Sequence, residues 1–260
     1  MLNSEEKPHP HLVKVFCKGM LTARGRKRGI PYFDMEALHL DSSAFFRWHK
    51  SAPGQIFESM EHLFSGLAYI HSRGIVHADI KPCNLLIGSD NILKICDFGL
   101  ALDFTKISDD MCHKLVTLPY RAPELLKHYD DKLHRHEYQK QLKLYHKQIN
   151  GKIDVWAAGC TILEWVTGEI FLNGMFEVRQ GMEIIQLRDQ RGRVKIKVEP
   201  FQRKKFKDIK KVLSQCLTID PGKRPTAENI LSTLEMIKKE GREQRIAHGL
   251  QGQKPNVLVV

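Results

Sequence analysis

The chain has 260 residues, 42% of them apolar and 27% charged, and 41 basic against 30 acidic side chains give a net charge of +11. That balance suits a globular chain long enough to bury a sizeable core, in one large domain or two small ones. Met1 opens no charged-then-apolar leader, and the longest strongly apolar run, 155–166, includes Glu164 and is too short to span a bilayer, which argues against a secreted or membrane protein. Six cysteines stand scattered without a Cys-x-x-Cys pair, so free thiols in an intracellular protein, cytoplasmic or nuclear, are expected rather than a disulfide framework or a zinc site. The basic clusters at 24–28 and 203–211 read as solvated loops and helix faces, and without a basic face of interleaved aromatics no nucleic-acid interface is expected.

In chain order, residues 12–16 alternate like a strand and 30–35 read as a second one, joined by a basic, Gly-containing hairpin connection. Between 55 and 71, Ile56, Met60, Leu63, Phe64, Leu67 and Ile70 fall at helical spacing, with Gly74 just beyond. Two short strands follow, 85–87 and 92–95, around the turn Gly88-Ser89-Asp90-Asn91. Residues 155–166 are apolar almost all round and predict a helix buried on every face. Further helices are expected over 177–188, 206–217 and 227–239, and the polar stretch from 241 is expected to be poorly ordered. Strands, a long helix, a small hairpin and then mostly helices make an α+β chain.

The chemistry concentrates in His77-Ala78-Asp79-Ile80-Lys81-Pro82-Cys83-Asn84, with Asp97-Phe98-Gly99 beginning thirteen positions after Asn84. Taken alone, Asp79 would be a turn residue capping an amide. With Lys81, Asn84 and Asp97 at these spacings the set is an inventory for phosphoryl transfer. A carboxylate can accept a hydroxyl proton, an ammonium can neutralise phosphate, and an Asn/Asp pair can hold Mg²⁺ through oxygen. These strings resemble the protein kinases. Thr117-Leu118-Pro119-Tyr120-Arg121-Ala122-Pro123-Glu124 resembles the cyclin-dependent-kinase-like (CMGC) branch, whose usual form has tryptophan where Pro119 stands. Asp154-Val155-Trp156 and Asp220-Pro221-Gly222-Lys223-Arg224-Pro225 complete the match, which covers residues 77–226 in the family's order.

The resemblance implies a protein-kinase-like fold and a set of roles. Asp79 would be the catalytic base, Lys81 would contact the γ-phosphate of ATP in the Ser/Thr-specific pattern, and Asn84 and Asp97 would hold Mg²⁺. Thr117 would hydrogen-bond Asp79 and Lys81. His77 and Phe98 would pack the catalytic loop against the Asp-Phe-Gly turn, and Asp154 would hold that loop's backbone. Glu124 and Arg224 would form a buried ion pair. Met35-Glu36-Ala37-Leu38 resembles the hinge, with Met35 as gatekeeper and the backbone of Glu36 and Leu38 facing adenine. Asp41 would lie near the ribose and Leu86 under the base. Residues 1–41 would be a remnant of the small lobe with the hinge, 42–240 the large lobe with an insertion at 127–152, and 241–260 a disordered tail.

The chain also departs from the family. It contains no Gly-x-Gly pair and no Val-Ala-x-Lys strand before residue 77, and the glutamate expected ahead of His9-Pro10-His11-Leu12-Val13 would fall before Met1. An N-terminally incomplete kinase is therefore expected, with an exposed apolar face where further strands would pack. Ala78 stands where an arginine usually grips the phosphorylated activation segment, and Cys112 stands five residues before Thr117 in place of the phosphorylated threonine. That phosphate switch is expected to be unused. The insertion, with seven basic and three acidic residues, reads as a solvated segment, with docking of an acidic partner as the alternative. Three accounts follow: a Ser/Thr kinase using ATP and Mg²⁺ on a protein substrate, with a cyclin-like activating or docking partner left open; a pseudokinase scaffold; and a piece of a longer, ordinary kinase.

Overall fold

The computed structural model describes residues 8–21, 29–48, 52–104, 116–125, 150–173, 183–184, 187, 189–196 and 199–247. Strands β1 (Val15–Leu21) and β2 (Ile30–Met35) pair antiparallel as a hairpin. Strand β3 (Leu40–Asp41) leads into helix α1 (Ser42–Trp48), which is followed by helix α2 (Pro53–Ser72). Strands β5 (Leu85–Ile87) and β6 (Leu93–Ile95) form the expected small hairpin, and β3 joins it to give the antiparallel order β3-β5-β6. Strand β4 (Ile75–Val76) pairs antiparallel with β7 (Leu102–Asp103), which brackets the segment between them. Helices α3 (Lys152–Thr167), α4 (Lys207–Cys216) and α5 (Ala227–Ala247) make up the rest of the packed body.

The core forms where the sequence periodicity placed it. Ile56, Met60, Leu63, Phe64, Leu67 and Ile70 of α2 are all fully buried. Helix α3 buries every residue from Ile153 to Trp165, which is why its sequence shows almost no polar face. It begins three residues before its apolar run because Asn150 Oδ1 accepts the Lys152 amide at 2.9 Å. It stops at Gly168, whose φ of 75° is a left-handed conformation that a side chain would strain. Helix α4 packs through Ile209, Val212, Leu213 and Cys216, a regular i, i+3, i+4, i+7 stripe.

Arg224 and Glu124 form a forked ion pair at 2.6 and 2.9 Å with both side chains essentially inaccessible. Arg224 also donates to the carbonyls of Thr218, Lys152 and Ile219, and its guanidinium lies 5.1 Å from the centre of the Trp156 ring. Because these additional bonds satisfy the guanidinium, the desolvation cost of the pair is offset. Removing one partner would leave a bare buried charge, at a cost of roughly 3–5 kcal/mol.

Two elements differ from expectation. The first strand begins at Val15, not at 12. Residues 11–13 are tied instead to β6, through Val13 N to Ile95 O at 3.0 Å and Ile95 N to His11 O at 2.9 Å, so only Leu12 of that stretch reaches the core. The resulting hairpin carries Val15, Phe16, Met20, Leu21, Ile30, Tyr32, Phe33 and Met35 exposed, so its apolar alternation has no core beneath it. The last helix runs beyond 239 to Ala247. Thr226 Oγ1 accepts the Asn229 amide while Asn229 Oδ1 accepts the Thr226 amide, a reciprocal cap that starts it. Its polar end is built of Lys, Glu, Gln and Arg, which are good helix formers. The expected helix over 177–188, the bulk of the insertion 127–152, Cys112 and the tail beyond 247 lie wholly or mainly outside the described residues.

His9, His11 and His62 lie side by side, with ring centroids 5.5 Å apart for the first two and 4.3 Å for the last two. Burial lowers all three pKa values, those of His9 and His11 to about 4 from 6.5, and burial also lowers that of His77. An unfolded chain protonates these rings near pH 6.5 while the folded chain keeps them neutral, so acid favours unfolding. Stability is expected to be fully present above about pH 6.5 and to fall as pH drops toward 4, read as a falling urea midpoint between pH 7.5 and 5. A midpoint that stays level across that range would contradict protonation-linked burial.

Candidate active site

The loop between β4 and β5 carries the candidate catalytic residues, and one buried carboxylate sets its shape. Asp154, in the first turn of α3, accepts the His77 amide at 2.8 Å on Oδ2 and the Ala78 amide at 2.9 Å on Oδ1. The ring of His71, at the end of α2, adds a third bond to Oδ2 at 2.8 Å. This arrangement holds Ala78 at φ 62°, a left-handed conformation unusual for a residue with a side chain. Gly151 leaves room beside it, because a Cβ there would collide with the His71 ring.

His77 secures the loop from the other side. Its Nε2 donates to Cys96 O at 2.9 Å and its Nδ1 accepts the Asp79 amide at 3.2 Å, a pattern that requires the neutral Nε2–H tautomer. Burial pushes the His77 pKa down despite the nearby Asp154 and the Cys96 carbonyl, so the ring stays neutral. The ring also meets Phe98 edge-on at 4.9 Å, which joins the loop to the Asp-Phe-Gly turn.

Asp79 is buried at 5% exposure, and its carboxylate gathers three of the expected residues. Thr117 Oγ1 donates to Oδ1 at 2.7 Å, Lys81 Nζ reaches Oδ2 at 2.7 Å, and Asn84 Nδ2 donates to Oδ2 at 3.0 Å. Lys81 Nζ also donates to Thr117 Oγ1 at 2.9 Å, which closes the ring of contacts. Burial opposes ionisation of Asp79, but the bonds from Lys81, Thr117 and Asn84 outweigh it and hold the carboxyl below its usual range. The same contact holds the Lys81 pKa above its usual value against desolvation. Asp79 and Lys81 are therefore both charged near neutral pH.

Asn84 spends its amide protons on Asp79, on the backbone oxygen at 2.9 Å as well as Oδ2, which leaves its Oδ1 for a role as acceptor. The backbone bond from Cys96 N to Asn84 O at 3.0 Å brings Asp97 next to it. Asp97 adopts φ 60° and ψ 75°, its Oδ1 accepts the Gly99 amide at 3.2 Å, and it is exposed. Among the described residues no group of three or more His, Cys, Asp or Glu side chains is placed to hold a metal by itself. The Asn84 amide oxygen and the Asp97 carboxylate are the oxygen donors that could hold a cation keeping water and phosphate as its other ligands, as Mg²⁺ commonly does.

The expected hinge residues sit at the end of β2, in the segment that follows it, and on β3 and β5. Leu86 is directly opposite Asp41 in the β3–β5 pair, so these two are brought together. Asp41 Oδ1 caps α1 by accepting the Ala44 amide at 2.8 Å, a role readable from Asp41-Ser42-Ser43 ahead of an apolar helix but not anticipated. Glu36 is fixed by Lys94 Nζ at 2.6 Å and by the Lys14 amide at 2.7 Å, which ties β6 and the start of β1 to the hinge. The Glu36 carbonyl and the Leu38 amide have no hydrogen-bond partner among the described residues. Met35 ends β2 opposite Val15 and is half-exposed.

Sequence reading missed His71, 83 residues from its partner Asp154, and a second cluster built on Glu164. Tyr120 OH donates to Glu164 Oε2 at 2.7 Å and Ser43 Oγ to Oε1 at 3.3 Å, which pushes the buried tyrosine's pKa up, chiefly through desolvation. The only hint in the sequence was a charged residue inside an otherwise apolar helix.

A protein kinase domain model matches residues 32–234. The chain belongs to the protein kinase family. It is 32% identical over 248 residues to a protein of Arabidopsis thaliana named "Probable serine/threonine-protein kinase", covering 86% of this chain and 40% of that one. It is 31% identical over 182 residues to cyclin-dependent kinase D-1 of the same plant, covering 68% and 39%. It is 37% identical over 125 residues to cell division control protein 2 homolog 3 of Trypanosoma brucei brucei, covering 48% and 35%. The kinase therefore sits near the cyclin-dependent-kinase-like (CMGC) members, in the serine/threonine class, and spans less than half the length of these relatives. The α+β kinase fold, with a helical large lobe, agrees with that membership. No helix among the described residues is long and apolar enough to cross a membrane.

The carboxylate cluster makes a direct prediction. Thr117→Val deletes the hydroxyl that donates to Asp79, and the Asp79 pKa should rise in a ¹³C-carboxyl NMR titration, whereas Thr117→Ser should leave it low. An Asp79 pKa unmoved by Thr117→Val would show that the hydroxyl does not act on this carboxylate.

Proposed function

We propose that this kinase transfers the γ-phosphate of ATP to serine or threonine hydroxyls of a protein substrate, with Asp79 as the base. The observation that supports this most is the ionised, buried Asp79 carboxylate bonded to Lys81, Asn84 and Thr117. A carboxylate offers about four lone-pair positions. Oδ2 is taken by Lys81 and Asn84, while Oδ1 accepts one short bond from Thr117 and a long contact of 3.4 Å from its amide. The 3.4 Å amide contact is the weakest of the four, and an incoming hydroxyl that displaces it would be oriented by Oδ1 and pass its proton there.

Bound ATP with Mg²⁺ supplies the phosphoryl group and a cation that offsets its charge. Lys81 offers an ammonium to the same phosphate from a position fixed by Asp79 and Thr117. Asn84 Oδ1 and the Asp97 carboxylate are the proposed metal ligands, the Asn84 amide nitrogen being used on Asp79. The open Glu36 carbonyl and Leu38 amide are the proposed adenine contacts, with Met35 as gatekeeper, Asp41 toward the ribose and Leu86 beneath the base. Ala78 presents only a buried methyl where a phosphate grip would need a guanidinium, so activity is proposed to be independent of activation-segment phosphate.

The 260-residue sequence holds no Gly-x-Gly pair, and no Val-Ala-x-Lys string precedes the catalytic loop; positioning by such parts carries much of phosphoryl-transfer catalysis. Slow turnover by this chain alone is therefore proposed, with a nucleotide-binding scaffold as the alternative reading. A radiolabelled-phosphate assay with Mg·ATP and a generic Ser/Thr substrate should detect slow transfer, unchanged by prior phosphatase treatment. Asp79→Asn should lower it at least about 100-fold, the usual contribution of a general base. Wild-type transfer no faster than that of Asp79→Asn, with nucleotide still bound, would select the scaffold reading.

A further inference from the structure

A cavity of about 330 Å³ is bounded by α1, the end of α3 and the turns that precede α4. It connects to the candidate catalytic base through a short relay. Thr117 bonds to Asp79, the turn Leu118–Tyr120 begins directly after Thr117, and Tyr120 OH donates to Glu164 in the cavity wall. Ser42 Oγ donates to Pro82 O of the catalytic loop and accepts from Nε1 of Trp165, a lining residue, which ties the cavity to that loop a second time.

Its charge is lopsided. Arg47, Arg203 and Lys205 line it, and Glu164 is the one acidic lining residue. Glu164 is only 7% exposed, and both its oxygens are occupied, by Tyr120 and Ser43, so the carboxylate serves as wall rather than as an open ligand. Arg47 is exposed and makes a long 3.5 Å contact to Ser43, and Lys205 is exposed with its ammonium 5.5 Å from the Phe206 ring. A concave, partly apolar site that presents cations and hides its one anion attracts a negatively charged side chain.

We propose that this cavity is a substrate subsite for an anionic side chain, a carboxylate or a phosphate, placed a few residues from the phosphorylated hydroxyl. The inference rests on the kinase reading and gives it a substrate class: protein segments acidic, or already phosphorylated, next to the target serine or threonine. A peptide residue advances at most about 3.3–3.6 Å, so a segment a few residues long reaches from Asp79 past Tyr120 to the cavity.

The test measures binding by fluorescence anisotropy, which needs no turnover. The probes are labelled nine-residue Gly/Ala/Gln peptides with a central serine and one glutamate walked through each flanking position, with matched phosphoserine and glutamine peptides. At one position the glutamate or phosphoserine peptide should bind about ten-fold tighter than its glutamine match. The double charge reversal Arg47→Glu/Lys205→Glu should erase that preference while leaving the glutamine peptide's affinity and the melting temperature unchanged. A phosphoserine peptide far tighter than the glutamate one assigns pre-phosphorylated substrates; equal affinities assign acidic ones. Equal affinity of acidic and neutral peptides at every position, or a preference that survives the charge reversal, overturns the inference. Loss of phosphotransfer with the binding preference intact would count against the catalytic reading alone.

Discussion

The carboxylate of Asp154 is the constraint on which the rest of the site depends. It is 1% exposed, and it is satisfied by two consecutive backbone amides and one histidine ring from another helix. A buried carboxylate left unpartnered would be costly, so the loop takes the conformation that supplies these donors. That conformation includes a left-handed Ala78, and it delivers Asp79 to the cleft with its backbone already fixed. The arrangement works because α3 is buried on every side and cannot shift to relieve the strain. The Arg224–Glu124 pair then locks the end of the activation segment to the same helix, through the Lys152 carbonyl.

Around this frame the charges are mutually stabilising. Asp79 and Lys81 each hold the other ionised against desolvation, and Thr117 bridges them. Neutral His77 supplies directed hydrogen bonds without adding a charge. The catalytic cluster around Asp79 is thus assembled from a strained loop, one strand pair and one helix start. Glu36, the residue after β2, is tied to the same hairpin by its bond to Lys94 of β6.

Much of this was legible in the sequence, for identifiable reasons. The α2 stripe from Ile56 to Ile70 is periodic, and α3 is apolar on all faces, so both helices could be placed within a few residues. Asp79, Lys81, Asn84 and Asp97 were legible because they sit at short, fixed spacings on one loop and one hairpin. What was not legible is long-range. Nothing near His71 announces Asp154, and nothing near Ser43 announces Glu164, because those pairings exist only once α1, α2 and α3 are packed. The start of β1 was misplaced because alternation at residues 12–16 does not reveal that the backbone of 11–13 is already taken by β6. The polar end of α5 was read as disorder because polarity hides helix propensity when no apolar stripe accompanies it.

The central claim is that one carboxylate dictates the geometry of the catalytic loop. Amide hydrogen exchange of His77 and Ala78, compared between the wild-type chain and Asp154→Asn, tests it most directly. The amides lose an ionised acceptor, so their exchange should accelerate at least about ten-fold, a difference of about 1.4 kcal/mol, while amides in the middle of α5 keep their protection. Unchanged protection at His77 and Ala78 in the variant would contradict the account.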